Sequence, residues 1–353
     1  MPSFERELNM KPLVEAARGG KPSRYPIWFM RQAGRYLPEY LEVRSRVEFV
    51  EACQTPAISA ELTLQPMKRY DLDAAIIFSD ILVPCVGMGQ TLTFGKGHGP
   101  QLSNVVRSPK DLAALKGAEC VDSLKYVGEG IAKTKAGLRP EQTMIGFAGA
   151  PLTVASYMIE GAGSKTYSEL KKLIFTQPEV FAGLLDKLRE VTVEYLAMQV
   201  EAGADYLMLF DSWGAQLASE DYRGFVAPNV NRLITELKSR VDVPIAYFPG
   251  AGMDRLYDLG ECPADVIHIH WCSRMDAAIN LLKQSNLDVS VQGNLDPQVL
   301  LGTEDFVRER TRAVLRQAEQ ARGHIFNVGH GLMPHIPPEA LNWVISEVRN
   351  YKG

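Results

Sequence analysis

The sequence predicts a mixed α/β fold of one domain, a (β/α)8 TIM barrel over residues 1–353 with extra amino-terminal helices and a hairpin insertion. Three observations predict it. Eight short apolar runs recur along the chain, amphipathic stretches of helical length separate most of them, and polar side chains collect just past the carboxyl ends of the runs.

The runs fall at 27–30, 74–78, 144–147, 206–210, 244–248, 266–269, 289–291 and 325–328. Each is nearly continuous in apolar residues, the mark of strands covered on both faces in a parallel sheet. Helical periodicity predicts helices over 55–68, 179–202, 220–239, 276–284 and 303–321. Parallel neighbours need such crossovers to bring the chain back to the same end of the sheet. The later units are short and regular, whereas longer insertions separate the first three. One of them, the Gly-rich stretch 87–99 with its alternating Gln90-Thr91-Leu92-Thr93-Phe94, predicts a hairpin over the site. No Pro/Ser-rich linker, compositional shift or fixed-period repeat divides the chain, so one domain is predicted. Periodicity does not reveal closure, and a doubly wound open sheet remains the structural alternative.

Composition narrows the partners. A hydrophobic fraction of 46% supplies an ample core, and a charged fraction of 23% is ordinary for a globular domain. The formal net charge of -4 leaves no broad basic footprint, so neither nucleic acid nor an anionic membrane is an expected partner. Cys53, Cys85, Cys120, Cys262 and Cys272 are odd in number, scattered and free of C-x-x-C spacing, which argues against a disulfide framework. Residues 1–11 carry Glu5, Arg6 and Glu7 with no apolar segment of the signal-peptide kind, and no stretch stays apolar for about eighteen residues. A cytoplasmic protein is expected.

In a barrel the reactive groups sit on the loops that follow the strands. The first run ends in Arg31-Gln32-Ala33-Gly34-Arg35. Two planar, permanently charged guanidinium groups four residues apart suit a ligand bearing several carboxylates or phosphates. Gln32 adds a neutral donor and acceptor, and Gly34 lets the backbone turn sharply or approach a ligand. A solvated charged loop is the plain alternative. The second run ends in Ser79-Asp80, the third in Ala148-Gly149-Ala150-Pro151, the fourth in Asp211-Ser212-Trp213-Gly214, the seventh in Gln292-Gly293-Asn294 and the eighth in Gly329-His330-Gly331. Asp80 and Ser212 each read equally well as helix N-caps. His330 suits donation to a carboxylate, or is simply a satisfied loop histidine. Gly87-Met88-Gly89 and residues 161–166 lack the spacing of dinucleotide and P-loop fingerprints, and no H-E-x-x-H or G-x-S-x-G is present. Nothing here demands an organic cofactor.

Residues 26–40 read PIWFMRQAGRYLPEY, a long and specific block, and 146–161 form a second. With Phe78-Ser79-Asp80-Ile81-Leu82, Phe210-Asp211-Ser212-Trp213, Gly293-Asn294-Leu295-Asp296-Pro297 and Asn327-Val328-Gly329-His330-Gly331, the chain resembles the uroporphyrinogen decarboxylase family over essentially its whole length. The resemblance implies a carboxy-lyase without cofactor or metal, usually a homodimer. Its reaction would convert the four acetate side chains of uroporphyrinogen III to methyl groups, giving coproporphyrinogen III in haem biosynthesis. It also implies substrate contacts at Arg31, Gln32, Ala33, Gly34, Arg35, Asp80, Tyr157, Ser212 and His330, with Asp80 as the central catalytic group.

One segment departs from that pattern. Where the family usually shows a Leu-Asp-Trp type sequence, this chain reads His268-Ile269-His270-Trp271-Cys272. The H-x-C pair resembles the zinc ligands of methyltransferases on the same barrel, so a zinc site on His270, Cys272 and His330 is one alternative. A non-catalytic tetrapyrrole-binding protein is another.

Overall fold

A computed structural model describes residues 11–95, 99–250 and 252–352. The expectation for the amino terminus thus lies almost wholly outside the described residues, as does the tip of the predicted hairpin at 96–98.

Among the described residues nine strands are formed: β1 (Ala74–Ile76), β2 (Leu92–Phe94), β3 (Pro100–Leu102), β4 (Thr143–Gly149), β5 (Tyr206–Phe210), β6 (Ile245–Phe248), β7 (Val266–His268), β8 (Ser290–Leu295) and β9 (His324–Val328). β2 and β3 pair antiparallel as the expected hairpin, with Leu92 opposite Leu102. The other seven form one parallel sheet in the order β1-β4-β5-β6-β7-β8-β9. That order never reverses, whereas a doubly wound sheet must reverse at its switch point. β4 and β5 are buried along their whole length, as strands covered on both faces should be.

The first apolar run closes the circle, but not as a full strand. Ile27 makes a single parallel bridge to Phe326 on β9, where the Phe326 N–H donates to Pro26 O at 2.9 Å. On the other side the Asp73 N–H, just ahead of β1, donates to Ile27 O at 2.9 Å. Side chains take the place of the missing ladder. Ile27 N–H donates to Asp73 Oδ2 at 2.7 Å, and Met30 N–H donates to Asn327 Oδ1 at 2.9 Å. The eighth stave is therefore held by two buried polar side chains, which hydrophobic periodicity does not register.

The helices follow the predicted periodicity with shifts of a few residues: Pro56–Arg69, Pro178–Glu201, Met275–Gln284 and Glu304–Ala318. Pro178–Glu201 buries Leu184, Leu188, Val191 and Tyr195 at helical spacing. The exception is 220–239, which breaks into Ser219–Asp221, a π-helical turn Tyr222–Val226, and Ala227–Lys238. Pro228 lacks the N–H that a continuous helix would use there, and the wider turn absorbs the loss. The strand ends also differ. β8 runs through Leu295, so Gln292, expected beyond the strand, lies inside it.

Gln292 occupies the barrel interior. Its Oε1 accepts from Trp28 Nε1 at 2.9 Å and from the Tyr206 hydroxyl at 3.2 Å, while its Nε2 lies 2.8 Å from His268 Nδ1. One amide thus ties together the closing segment, β5, β7 and β8. Burial holds two interior histidines neutral: the His268 pKa falls to about 3, with His330 and His270 adding repulsion, and that of His324 falls to about 4.

Two outcomes are expected. Asp73 is fully buried and also meets the Arg24 and Arg349 guanidinium groups at 2.6 Å and 2.9 Å. Asp73→Ala strands the Ile27 N–H and takes the carboxylate from Arg24, while Arg349 keeps Asp71 at 3.0 Å, so denaturant unfolding should show a loss of about 2–4 kcal/mol; a loss below about 1 kcal/mol would contradict the clamp. The second concerns acid. A depressed histidine pKa means the unfolded chain binds more protons than the native one between the two values, so native stability falls as pH drops from about 6.5 toward 4. His324→Gln should make that fall shallower by roughly 2–3 kcal/mol, measured as unfolding free energy against pH; an equally steep fall would contradict the assignment.

Candidate active site

The carboxyl ends of the strands and the β2–β3 hairpin enclose a cavity of about 670 Å³. Arg31, Ala33, Gly34, Arg35, Asp80, Tyr157, Ser212 and His330 all line it. Eight of the nine residues expected from the sequence therefore meet in one place. Phe94, Gly99 and Pro100 bring the hairpin over it, as its alternating sequence suggested.

Gln32 is the exception. It is 1% exposed and its side chain turns beneath the loop, where Nε2 donates to Ala74 O at 3.0 Å and Oε1 accepts from Phe29 N–H at 3.1 Å. Its side chain is part of the loop's framework and does not reach the cavity. The loop itself is a tight reversal: Gln32 N–H donates to Phe29 O and Leu37 N–H to Gly34 O. The left-handed residue in it is Arg31, at φ 64°, not Gly34. Gly34 leaves room instead: a Cβ there would crowd Arg31 O at 3.0 Å. A non-glycine residue in this region is strained and is held by its surroundings. Here the buried Gln32 and the Tyr36 hydroxyl, which donates to Gln32 O at 2.8 Å, do the holding. Arg31 then lies against Gly331, where an added Cβ would come within 2.4 Å of Arg31 Cδ.

Asp80 comes from the loop after β1. Helix Pro56–Arg69 pins that loop at Phe78: Ser59 Oγ donates to Phe78 O at 2.7 Å, and Phe78 N–H donates to Thr63 Oγ1 at 2.8 Å. Asp80 Oδ1 accepts the Leu82 N–H at 2.8 Å. The residue preceding the short helix Val83–Gly87 is Leu82, so the carboxylate steadies the turn without being the helix cap. Burial pushes the Asp80 carboxyl above the usual carboxylate range, while the Leu82 N–H and the Arg31 guanidinium pull it back. One oxygen remains for a ligand's donors.

Tyr157 stands on helix Pro151–Glu160, which starts directly after β4. Ser212 follows β5 and precedes the 3-10 turn Gly214–Gln216, whose cap residue is Trp213, so capping does not explain Ser212. His330 follows β9. Its Nδ1 accepts the Gly331 N–H at 2.9 Å, which leaves the proton on Nε2. Burial, then Arg31 and His270, lower its pKa to about 4. A neutral imidazole donor therefore faces the cavity near neutral pH.

Several lining residues gave no clear signal in the sequence. Arg44, the last residue of helix Pro38–Arg44, adds a third cation; it donates to Val47 O and stands 5.5 Å over the Phe49 ring. Tyr40 lines the cavity one turn earlier, and the shared i, i+4 face was the available clue. Phe49, Phe78, Phe147 and Phe210 supply apolar walls.

The zinc alternative is not assembled. His270 Nδ1 lies 2.9 Å from Cys272 Sγ, and the His270 and His330 rings are 5.9 Å apart. Among the described residues, however, no three His, Cys, Asp or Glu side chains group so that they could hold a metal ion.

The sequence model of the family described as uroporphyrinogen decarboxylase (URO-D) matches residues 8–351. The chain is 43% identical to a uroporphyrinogen decarboxylase of Myxococcus xanthus over 96% of both chains. It is 41% identical to that of Syntrophotalea carbinolica over 94% of this chain and 95% of the relative. Among solved structures, a methyltransferase from Methanosarcina mazei shares the fold at TM-score 0.79, covering 96% of this chain and 97% of that one at 19% identity. A family match over nearly the whole length, joined to close relatives of that same family, makes the assignment plain: this chain belongs to the uroporphyrinogen decarboxylase family.

Proposed function

We propose that the chain decarboxylates uroporphyrinogen III to coproporphyrinogen III, one acetate side chain at a time. A single observation carries this reading: the cavity has a carboxylate, Asp80, among aromatic walls and three arginines, Arg31, Arg35 and Arg44, on its lining. The substrate has the complementary pattern. Four pyrrole N–H donors point to the centre of its flexible macrocycle, and eight carboxylates ring its edge.

Breaking the bond to an acetate carboxylate leaves an electron pair that needs a sink. Addition of a proton to a pyrrole carbon turns the ring into that sink, so the substrate itself takes the part an organic cofactor plays elsewhere. Carbon dioxide leaves, the electron pair forms an exocyclic methylene, and a second proton converts it to methyl. Loss of the first proton restores the aromatic ring, so each carbon dioxide released consumes one proton. The positive charge exists only between those steps. Asp80, accepting the pyrrole N–H groups, stabilises the charged ring more than the neutral one, which is how a fixed group accelerates a reaction.

The arginines would hold carboxylates that are not reacting, since bidentate pairing favours the charged acid and opposes loss of its carbon dioxide. Tyr157, Ser212 and neutral His330 would orient the reacting arm by hydrogen bonds. The expected assembly is a homodimer, and the expected compartment the cytoplasm; no helix among the described residues is long and apolar enough to cross a membrane.

Anaerobic incubation with uroporphyrinogen III, followed by chromatography of the oxidised porphyrins, should yield seven-, six-, five- and four-carboxylate products in succession. Their absence would overturn the reading. Asp80→Asn keeps the shape but loses the charge, and should lower kcat by roughly 100-fold or more with little change in KM. Undiminished turnover in that variant would remove Asp80 from the central role.

A further inference from the structure

One buried carboxylate has no part in the reaction above. Asp211 is fully buried at the end of β5, next to Ser212, and both of its oxygens are used. Oδ1 accepts from the Thr153 N–H at 3.1 Å and from the Thr153 hydroxyl at 2.7 Å. Oδ2 accepts from the Tyr247 hydroxyl at 2.9 Å. Thr153 Oγ1 in turn accepts the Trp213 N–H at 3.2 Å. Asp211 therefore joins two separate elements: the loop carrying Ser212 and Trp213, and the helix carrying Tyr157.

The geometry of that helix matters. Thr153 and Tyr157 are four residues apart within Pro151–Glu160, on one face and one turn from each other. Fixing Thr153 by two hydrogen bonds at the helix start fixes the direction in which Tyr157 enters the cavity. The Tyr157 ring in turn packs 6.2 Å from that of Trp213. The second oxygen leads away from the cavity. The Tyr247 hydroxyl lies 2.6 Å from that of Tyr222, in the π-helical turn, and the Arg255 guanidinium lies 4.6 Å over the Tyr222 ring. Arg255 also donates to Leu217 O at 3.2 Å and pairs with Asp258 at 3.0 Å. The network thus anchors the whole segment that follows Ser212. π-Helical turns are frequent next to functional sites.

We propose that Asp211 is a positioning residue of the decarboxylase: through Thr153 and its own backbone it sets the spacing of Tyr157 and Ser212, the two hydroxyls that orient the reacting acetate arm. Burial of this charge has a cost, since its pKa is raised to about 6 despite the hydrogen bonds from Thr153 and Tyr247. A scaffold role alone would be served as well by an apolar side chain. Linking two separate strand ends to one acceptor requires the oxygens.

This inference rests on the decarboxylase reading, and the test separates the two. Turnover of uroporphyrinogen III is first measured for the wild type; if there is none, the functional reading fails by itself. With the wild type active, Thr153→Val removes the hydroxyl at nearly constant volume and should lower kcat/KM by about 10- to 100-fold, mostly in kcat. Thr153→Ser keeps the hydroxyl and should recover most of the loss. The decisive comparison is a double-mutant cycle. In a Tyr157→Phe/Ser212→Ala background, Thr153→Val should reduce kcat/KM by less than about twofold, because the groups it positions are gone. Full additivity of the effects, or a Thr153→Ser variant as slow as Thr153→Val, would overturn the proposal. Asp211→Asn, read by the same cycle, checks the node itself; if it does not fold, the Thr153 variants still decide.

Discussion

The site depends on how the barrel is closed. The segment around Ile27 is too short to form a ladder with both neighbours, and the buried side chains of Asp73 and Asn327 supply the acceptors that its backbone N–H groups would otherwise lack. A closed sheet has no free edge to satisfy. Because the closing segment is pinned at Ile27 and Met30, the next residue starts from a fixed position, and that residue is Arg31. A left-handed arginine is tolerated there only because both flanks of the turn are held. Backbone closure and the position of the cationic wall are thus one problem with one solution.

The same logic runs around the rim. Asp80 is steadied from helix Pro56–Arg69 through Ser59 and Thr63, Thr153 on the helix that carries Tyr157 bonds the Asp211 carboxylate next to Ser212, and His330 keeps its tautomer through the Gly331 N–H. In each of these three places a buried polar contact lies behind the cavity wall. Such preorganisation is what allows a fixed dipole or charge to act without reorganising during a reaction. The balance of charge is also set from behind. Burial raises the pKa of the Asp80 carboxyl and lowers that of the His330 imidazole.

Much of this was legible in the sequence, and the parts that were not have physical reasons. Apolar runs announced the strands because both faces of a parallel sheet are buried. Asp80, Tyr157, Ser212 and His330 were legible by their family blocks, and three of the four also by standing just past a strand. Gln32 was misplaced because a tight turn sends adjacent side chains in opposite directions, and no periodicity governs a turn. Gln292 was assigned to a loop because a polar residue normally ends an apolar run; only the surrounding Trp28, Tyr206 and His268 make it an interior residue. Arg44 belonged to no motif, and its approach to the cavity is set by how its helix packs. The strength of Asp211 as a node was hidden because burial and long-range partners are properties of the folded chain.

The hairpin of β2 and β3 has a different kind of consequence. It contributes Phe94, Gly99 and Pro100 to the cavity, yet it is attached to the barrel by side-chain packing and a few backbone contacts, with no strand of the main sheet beside it. The barrel floor is fixed by its own ladder, whereas the roof is a separate two-stranded piece fastened to the end of helix Pro151–Glu160, where the Leu102 N–H donates to Gly161 O at 2.8 Å. A macrocycle that sheds four carboxylates becomes less charged and more compact at every stage. The chamber that receives such a series is therefore walled by two independent pieces of the chain, a parallel barrel below and an antiparallel hairpin above.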